Sequence, residues 1–320
     1  MGEYIYNILE RQSDSENMIE IIVCCIKNIY LIKLNKKDLN FSKQFPIQIP
    51  NMSCFLCLET QKNQYIASGE TSTIYCENIF KDEKVKPSTN KISNNVYRSG
   101  IKISDKLFAL TSNSIIKNGK DNLSIFNTET KKIKKIREYS YVYDINGLSV
   151  MNIKGKKLLL CACKKYNPEQ YNGILVVNLS NINNEIISEK FFDTDNFEVT
   201  CFRPILNIKN NNMDKNCIED EEIEETEYFF VGGFDAEKGE GIIRLYKAFY
   251  DTEENDFSIE YLQDIEFIYN DNDKFRGFEG SITCIEQSKI NGNILITCSK
   301  PQIYLFSKPN LEYYTDVTEN

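Results

Sequence analysis

The chain has 320 residues, a length that suits either one large all-β domain or two ordinary domains. It contains 19 Tyr and 19 Phe and is rich in Val and Ile, residue types that favour pleated strands. It has no His and no Trp, which excludes His-based catalytic triads and metal sites that need His. The composition therefore predicts a mostly β protein without His-dependent chemistry.

The net charge of −9 is unevenly distributed along the chain. Residues 1–160 carry 24 basic and 16 acidic side chains, a net +8, whereas residues 161–320 carry 14 basic and 31 acidic side chains, a net −17. Most single charges only solvate a surface. The asymmetry nevertheless predicts a fold with one basic flank and one acidic flank, which could select partners.

The eleven cysteines are scattered and lie mostly in apolar runs, unlike the disulfide framework of a small secreted domain. Cys54 and Cys57 form the one CxxC pair, and no second pair or His accompanies them, so we expect core packing instead of zinc binding. The chain shows no secretory signal and no run of about 20 apolar residues. We therefore expect a cytoplasmic protein with reduced thiols, and the nucleus is the alternative location.

Six successive units share one pattern, in which three or four short apolar stretches are separated by turns. In chain order, the predicted strands are residues 4–9, 20–26 and 29–34; 54–58, 64–69 and 73–76; 99–103, 106–111, 123–127 and 131–137; 147–153, 157–163, 173–178 and 186–192; 197–202, 228–235 and 241–246; and 275–285 (a turn and a strand), 293–299 and 302–307, with 311–314 available as a fourth. The pattern predicts an all-β fold, a β-propeller of about six four-stranded blades. Seven blades is the alternative number.

We expect residues 1–320 to form a single propeller domain with an acidic loop insertion around 208–227. The acidic run 219–225 within this insertion cannot bury enough apolar surface to become ordered, so we interpret it as a solvated loop. Docking of a basic partner or of divalent cations is the alternative interpretation. Its candidate partner-binding residues are Glu221, Glu222, Glu224 and Glu225.

Two segments resemble the WD repeat. Residues 275–285 resemble its start, where a Gly-His pair precedes the first strand, with Phe278 in the place of His. Residues 125–131 resemble the end of its third strand, with Phe126 and Asn127 in the places of Trp and Asp. The resemblance implies that the chain is a degenerate member of the WD-repeat propeller family.

Asp235 lies about where this family often has a turn-stabilising Asp. Without His and Trp, however, the buried hydrogen-bond relay of the family cannot form in any blade. Its rigidity must then come from aromatic and aliphatic packing. An unrelated propeller family and a pair of β-sandwiches are the alternative folds.

A second candidate partner-binding group is a basic run with apolar interruptions. This alternation is typical of an exposed edge strand whose lysines prevent pairing with other chains. Binding of nucleic acid or anionic lipid is the more specific hypothesis, but the net negative charge of the chain weakens it. The candidate residues are Lys131, Lys132, Lys134, Lys135 and Arg137.

No residue pattern indicates a catalytic, cofactor-binding or metal-binding site. Gly232, Gly233, Gly239 and Gly241 flank strands instead of opening a helix, so we interpret them as turn glycines and not as a nucleotide-binding loop. The leading hypothesis is a non-enzymatic scaffold that binds other proteins through the faces and charged rim of the propeller. The alternatives are a carboxylate-based enzyme or small-ligand binder in the central channel, and a propeller that binds anionic membrane surfaces.

Deletion of residues 210–226 should leave folding intact if this stretch is an insertion. The measurement is a thermal melt followed by circular dichroism. Loss of a cooperative transition in the deletion variant would contradict the loop assignment.

Overall fold

The computed structural model describes nineteen segments of the chain. These are residues 5–11, 15–25, 29–38, 40–43, 56–61, 64–69, 71–77, 88–112, 123–136, 144–153, 155–164, 172–179, 189–207, 224–251, 256–268, 274–275, 277–289, 291–300 and 302–307. The predicted strand 311–314 and residues 208–223 of the predicted insertion lie outside them.

The described residues form strands and turns, and strands that follow one another along the chain pair in antiparallel sheets. The first three sheets comprise β1 (Ile5–Arg11), β2 (Met18–Cys25), β3 (Ile29–Asn35) and β4 (Phe41–Lys43); β5 (Leu56–Gln61), β6 (Gln64–Ser68), β7 (Thr73–Glu77) and β8 (Ser88–Ser93); and β9 (Tyr97–Lys102), β10 (Leu107–Ser112), β11 (Leu123–Asn127) and β12 (Lys132–Lys135). These sheets are blades 1, 2 and 3.

The second half of the chain repeats the arrangement. Its sheets comprise β13 (Asp144–Ile153), β14 (Lys156–Lys164), β15 (Gly173–Asn178) and β16 (Glu189–Asp193); β17 (Phe197–Asn207), β18 (Glu224–Asp235), β19 (Glu240–Asp251) and β20 (Asp256–Asp264); and β23 (Ile282–Gln287), β24 (Ile294–Cys298) and β25 (Ile303–Phe306). These sheets are blades 4, 5 and 6. A short hairpin of β21 (Phe267–Ile268) and β22 (Lys274–Phe275) precedes blade 6.

Six consecutive sheets of this kind are the blades of a six-bladed β-propeller, which confirms the predicted fold class and the blade number. The chain divides into two compact units, Met1–Ile145 and Asn146–Asn320, which contain the first three and the last three blades. Blade 6 has three strands within the described residues. Three outer strands were absent from the sequence prediction, namely β4, β8 and β20.

The middle strands of blades 2 to 5 are buried on both faces, which explains their nearly continuous apolar sequence. All six residues of β15 are buried, and β14 is buried from Leu158 to Cys163. The outer strands β8 and β12 are mostly exposed and polar. Position within a blade therefore sets the residue type of each strand.

The core lies between successive blades. Within the first unit, one apolar cluster joins blades 1 and 2 and another joins blades 2 and 3, where the rings of Tyr75 and Phe126 lie 5.7 Å apart. Within the second unit, corresponding clusters join blades 4 and 5 and blades 5 and 6. Within each unit, consecutive blades thus fold against each other.

Three of the four predicted turn glycines lie inside strands instead, which corrects that prediction, and Gly241 is the one in β19. Gly232 and Gly233 belong to β18, and a Cβ on Gly232 would lie 2.7 Å from both Cys201 Sγ and Ile282 Cγ2. The close approach of β17 and β23 therefore requires glycine there. Gly239 lies in a turn as expected, with φ of 71°.

The predicted acidic insertion overlaps the start of β18. Glu224 and Glu225 already pair with Asn207 and Leu206 of β17. A deletion that spares the strand therefore has to end before Glu224.

Blades 1 and 2 are also joined by a network of buried charges. Arg11 Nε lies 3.3 Å from Glu20 Oε2 and 3.6 Å from Glu59 Oε1, and the Arg11 side chain is 6% exposed. Lys33 Nζ lies 3.2 Å from the other oxygen of Glu20, and the Tyr65 hydroxyl donates to Glu59 at 2.9 Å. One guanidinium thus connects carboxylates on two blades.

Replacement of Arg11 by Met should destabilise the protein by about 3 kcal/mol, because it leaves the half-buried Glu59 without Arg11 and leaves Glu20 with Lys33 alone. The double variant Arg11→Met, Glu59→Gln should recover part of this loss. Urea denaturation measures both values. A single-variant loss below about 1 kcal/mol would show that the network does not hold the blades together.

Candidate functional site: the charged edges of the blades

The predicted basic run forms the outer strand of blade 3. β12 pairs with β11 and is the edge strand of its sheet. Ile133 lies opposite Phe126 and packs against the core between blades 2 and 3. Lys132 and Lys134 therefore point to the other face of the strand.

Lys131 contacts two residues of the neighbouring blade. It lies in the turn before β12 with φ of 54°, and its Nζ is 2.8 Å from Glu77 Oε1 and 5.0 Å from the centre of the Tyr75 ring. The hydrogen bond to Glu77 raises the pKa of the Lys131 ammonium. Because Glu77 and Tyr75 belong to β7, this lysine connects blades 2 and 3.

Three lysines on the neighbouring outer strands β8 and β12 carry charge that no carboxylate balances. Lys91, Lys132 and Lys134 are exposed, and the described part of the chain places no Asp or Glu within ion-pair distance of them. Other lysines of blade 3 are paired, since Lys102 and Lys106 each lie 2.7 Å from a carboxylate. We call Lys91, Lys132, Lys134 and the exposed Lys135 the lysine edge.

The remaining candidates from the sequence are not part of β8 or β12. Arg137, Glu221 and Glu222 lie outside the described residues. Glu224 and Glu225 are the first residues of β18 in the second unit. By strand alternation, Lys132 and Lys134 lie on the face of blade 3 that points away from blade 2, whereas Lys91, opposite Ile74, lies on the face of blade 2 that packs on blade 1. The acidic run has no described surface.

Asp235 stabilises the turn between β18 and β19. Its Oδ1 accepts hydrogen bonds from the backbone N–H groups of Glu237 at 3.0 Å and Lys238 at 3.1 Å, and its Oδ2 lies 3.4 Å from Arg244 Nη2. Asn127 accepts two equivalent bonds in the turn after β11. Both side chains therefore cap hairpin turns, as the resemblance implied for Asp235.

Arg244 continues this cluster toward the outer strand of blade 5. Its guanidinium lies 4.1 Å from the centre of the Phe197 ring, and its Nε lies 3.2 Å from Asp264 Oδ1. Lys238 Nζ lies 2.9 Å from the other oxygen of Asp264, and this hydrogen bond raises the pKa of Lys238. The cluster holds the turn and β20 together.

β20 is an acidic outer strand that the sequence prediction missed. It carries Asp256, Glu260 and Asp264 and no basic residue. Its alternating apolar residues Phe257 and Ile259 are a period-two signal that could have identified it. Blades 3 and 5 therefore end in outer strands of opposite charge.

The described cysteines are mostly core residues, as predicted. Cys24, Cys25, Cys57, Cys76, Cys161, Cys163 and Cys298 are buried, and Cys201 and Cys284 are half-buried. Burial raises the pKa of the Cys163 thiol and of the Cys201 thiol to about 12. Within the residues that the structure describes, no three potential metal ligands come together and no helix could cross a membrane.

Blade 6 exposes apolar side chains on one face. Leu295 and Leu305 are cross-strand neighbours on β24 and β25, and Leu305 and Ile303 are 68% and 72% exposed. The opposite face packs in the core, where the Phe278 ring lies 5.0 Å from that of Tyr304. Phe278 and Phe126 are both fully buried, so the two residues in the family's His and Trp places are core aromatics.

No protein-family model and no curated protein matches the chain. Among solved structures, it resembles Kuenenia stuttgartiensis hydrazine synthase, with a TM-score of 0.56 and 9% identity over 92% of this chain and 76% of that one. The dihydro-heme d1 dehydrogenase NirN has a TM-score of 0.48 and 9% identity over 94% of this chain and 57% of its own. The extracellular domain of a putative one-component system from B. thetaiotaomicron has a TM-score of 0.48 and 10% identity over 94% and 32%. At such identity, likeness to hydrazine synthase supports the fold alone.

Replacement of Asp235 by Ala should destabilise the protein by about 2–3 kcal/mol, because it removes two charge-assisted bonds to backbone N–H groups and one partner of Arg244. Asp235→Asn keeps an acceptor oxygen and should cost about 1 kcal/mol. Urea denaturation compares them with Asp105→Ala, which removes an exposed ion pair and should cost less than about 1 kcal/mol. Equal losses for the Asp235 and Asp105 variants would contradict the capping role.

Proposed function

We propose that this propeller is a non-enzymatic scaffold whose lysine edge binds an acidic surface of a partner protein. The observation that supports it is the contrast within blades 2 and 3. Lys91, Lys132 and Lys134 are exposed without a carboxylate partner in the described chain, while Lys102 and Lys106 are neutralised. Exposed charge of one sign on adjoining strands attracts a partner of the opposite sign.

Protection against strand pairing explains lysines on β12 but not the whole lysine edge. A single charged strand is enough to protect an edge. Here a lysine of β8 in blade 2 adds to those of β12 in blade 3, and the two strands are neighbours. The exposed lysines therefore occupy the outer strands of two blades and offer a partner separate points of contact.

The size of the lysine edge argues against duplex nucleic acid, and the net charge of the chain argues against an anionic membrane. Proteins that hold duplex DNA by its backbone typically make about 6–10 phosphate contacts, and basic lipid-binding clusters typically contain about 4–8 Lys or Arg residues. The lysine edge has four lysines and belongs to a chain of net charge −9. Long-range attraction to a polyanion would therefore be weak.

The proposal places the chain among degenerate WD-repeat-like propellers of the cytoplasm or nucleus. Support comes from the turn capped by Asp235 and from the buried Phe126 and Phe278 in the Trp and His places. Aromatic packing would replace the family's polar relay. Catalysis by paired acids receives no support from the buried Glu20 and Glu59, since both bind Arg11 instead of facing an open site.

The test is quantitative affinity purification from the native cell with the variant Lys91→Glu, Lys132→Glu, Lys134→Glu. We expect at least about a tenfold loss of one or more partners, because reversal turns attraction into repulsion. The amount of each partner recovered with the wild-type protein should also fall as the salt concentration rises.

The matched control is Lys102→Glu, Lys106→Glu, which reverses neutralised lysines in blade 3 and should keep those partners. Identical partner sets for wild type and the lysine-edge variant would refute the proposal. A gain in sedimentation with phosphatidylserine vesicles that depends on the lysine edge would favour membrane binding instead.

A further inference from the structure

The outer strand of blade 5 is the longest outer strand among the described residues. β20 has nine residues, whereas β4, β8, β12 and β16 have three, six, four and five. It pairs with β19 and is the edge of its sheet. A long edge strand presents a row of backbone groups that another strand can pair with.

The backbone groups that face outward can be assigned from one hydrogen bond. The N–H of Phe257 donates to Asp256 Oδ1 at 2.8 Å, so it does not donate to Tyr250, which lies opposite on β19. Alternate residues of an antiparallel strand direct their backbone groups to the same side. Ile259 and Tyr261 therefore also direct their N–H and C=O groups away from β19.

The pairing of β20 with β19 is regular over this stretch. Each residue from Asp256 to Tyr261 lies opposite one residue of β19, and the register shifts only beyond Tyr261. The stretch contains neither Lys nor Pro, the residues that commonly protect sheet edges. Two outward-facing residues, Ile259 and Tyr261, are thus in position to pair with an added strand.

The charge of β20 indicates which kind of strand could pair with it. Exposed Glu260 repels an acidic strand, including β20 of a second copy of this chain, whereas Asp264 is already bound by Arg244 and Lys238. Glu260 is exposed and points to the same face as Ser258, while Phe257 and Ile259 point to the buried face. A strand that places Lys or Arg beside Glu260 and apolar residues on the other face would complement both sides.

We propose that the edge of β20 binds an extended basic segment of a partner protein, which adds to blade 5 as a fifth strand. Backbone hydrogen bonds to Ile259 and Tyr261 hold the segment, and the carboxylates select its alternating basic residues. This surface is distinct from the lysine edge, which lies in the first unit and attracts the opposite charge.

The probe is the peptide acetyl-Thr-Lys-Val-Lys-Val-Lys-Thr-amide, added to the full chain and followed by amide hydrogen exchange in NMR. We expect the amides of Ile259 and Tyr261 to exchange fast in the free protein and at least about tenfold more slowly with the peptide. Ser258 and Glu260, whose amides face β19, should be protected in both states.

Two control peptides separate strand addition from simple charge attraction. Replacing the central Lys by Pro removes a backbone donor and should abolish the protection of Ile259 and Tyr261. Replacing all three Lys by Glu should abolish binding. Protection that is equal for the Pro peptide, or no protection with the first peptide at saturating concentration, would overturn the proposal.

Protein variants test the acidic selection. Glu260→Lys should weaken binding of the basic peptide about fivefold to tenfold, and Glu260→Gln, which does not repel the opposing Lys247, about twofold to fivefold. The control Glu237→Lys changes net charge equally at an exposed turn of the same blade and should bind like wild type. Equal loss of peptide affinity in Glu237→Lys and Glu260→Lys would also overturn the proposal. The lysine edge is unchanged in all these variants. A negative result with the basic peptide therefore does not contradict the binding of acidic partners at the lysine edge.

Discussion

Burial of the middle strands between neighbouring blades is the constraint on which the rest of the structure depends. A blade sheet buries apolar residues on both faces of its middle strands, so an isolated blade would expose them. Full burial of a side chain such as Leu160 or Phe126 contributes about 1.5–3 kcal/mol, and each cluster between blades contains many. The outer strands take little part in this packing. They are therefore free to carry charge.

Polar interactions between blades add specificity to this apolar packing. Arg11 joins carboxylates of blades 1 and 2, and Lys131 joins blade 3 to Glu77 of blade 2. In blade 5, Arg244 connects Asp235 in a turn to Asp264 on the outer strand. The first two contacts join neighbouring blades, and the third joins a turn to the outer strand within one blade. Charge on the inner strands therefore serves the fold.

Charge on the outer strands has a different character. Lys132 and Lys134 of β12 have no carboxylate partner within the described residues, and β20 carries the exposed carboxylate of Glu260. A scaffold with oppositely charged edges can hold two partners of opposite charge at separate blades. Backbone pairing at β20 and side-chain attraction at the lysine edge would recognise different features of those partners. Both surfaces follow from the same arrangement, in which an outer strand places alternate residues in the core and leaves the others exposed.

Local pattern in the sequence determined the class of fold, the number of blades and most inner strands, because a strand buried on both faces needs a long apolar run such as Leu158–Cys163. It also indicated that Asp235 caps a turn, since that contact is local. Tertiary structure alone decided that Lys131 is bound by Glu77, that Gly232 serves close strand packing, and that β4, β8 and β20 exist. Outer strands lack a continuous apolar run, and an ion pair between residues 54 positions apart leaves no local trace. Which charges remain available to a partner is consequently a property of the folded chain.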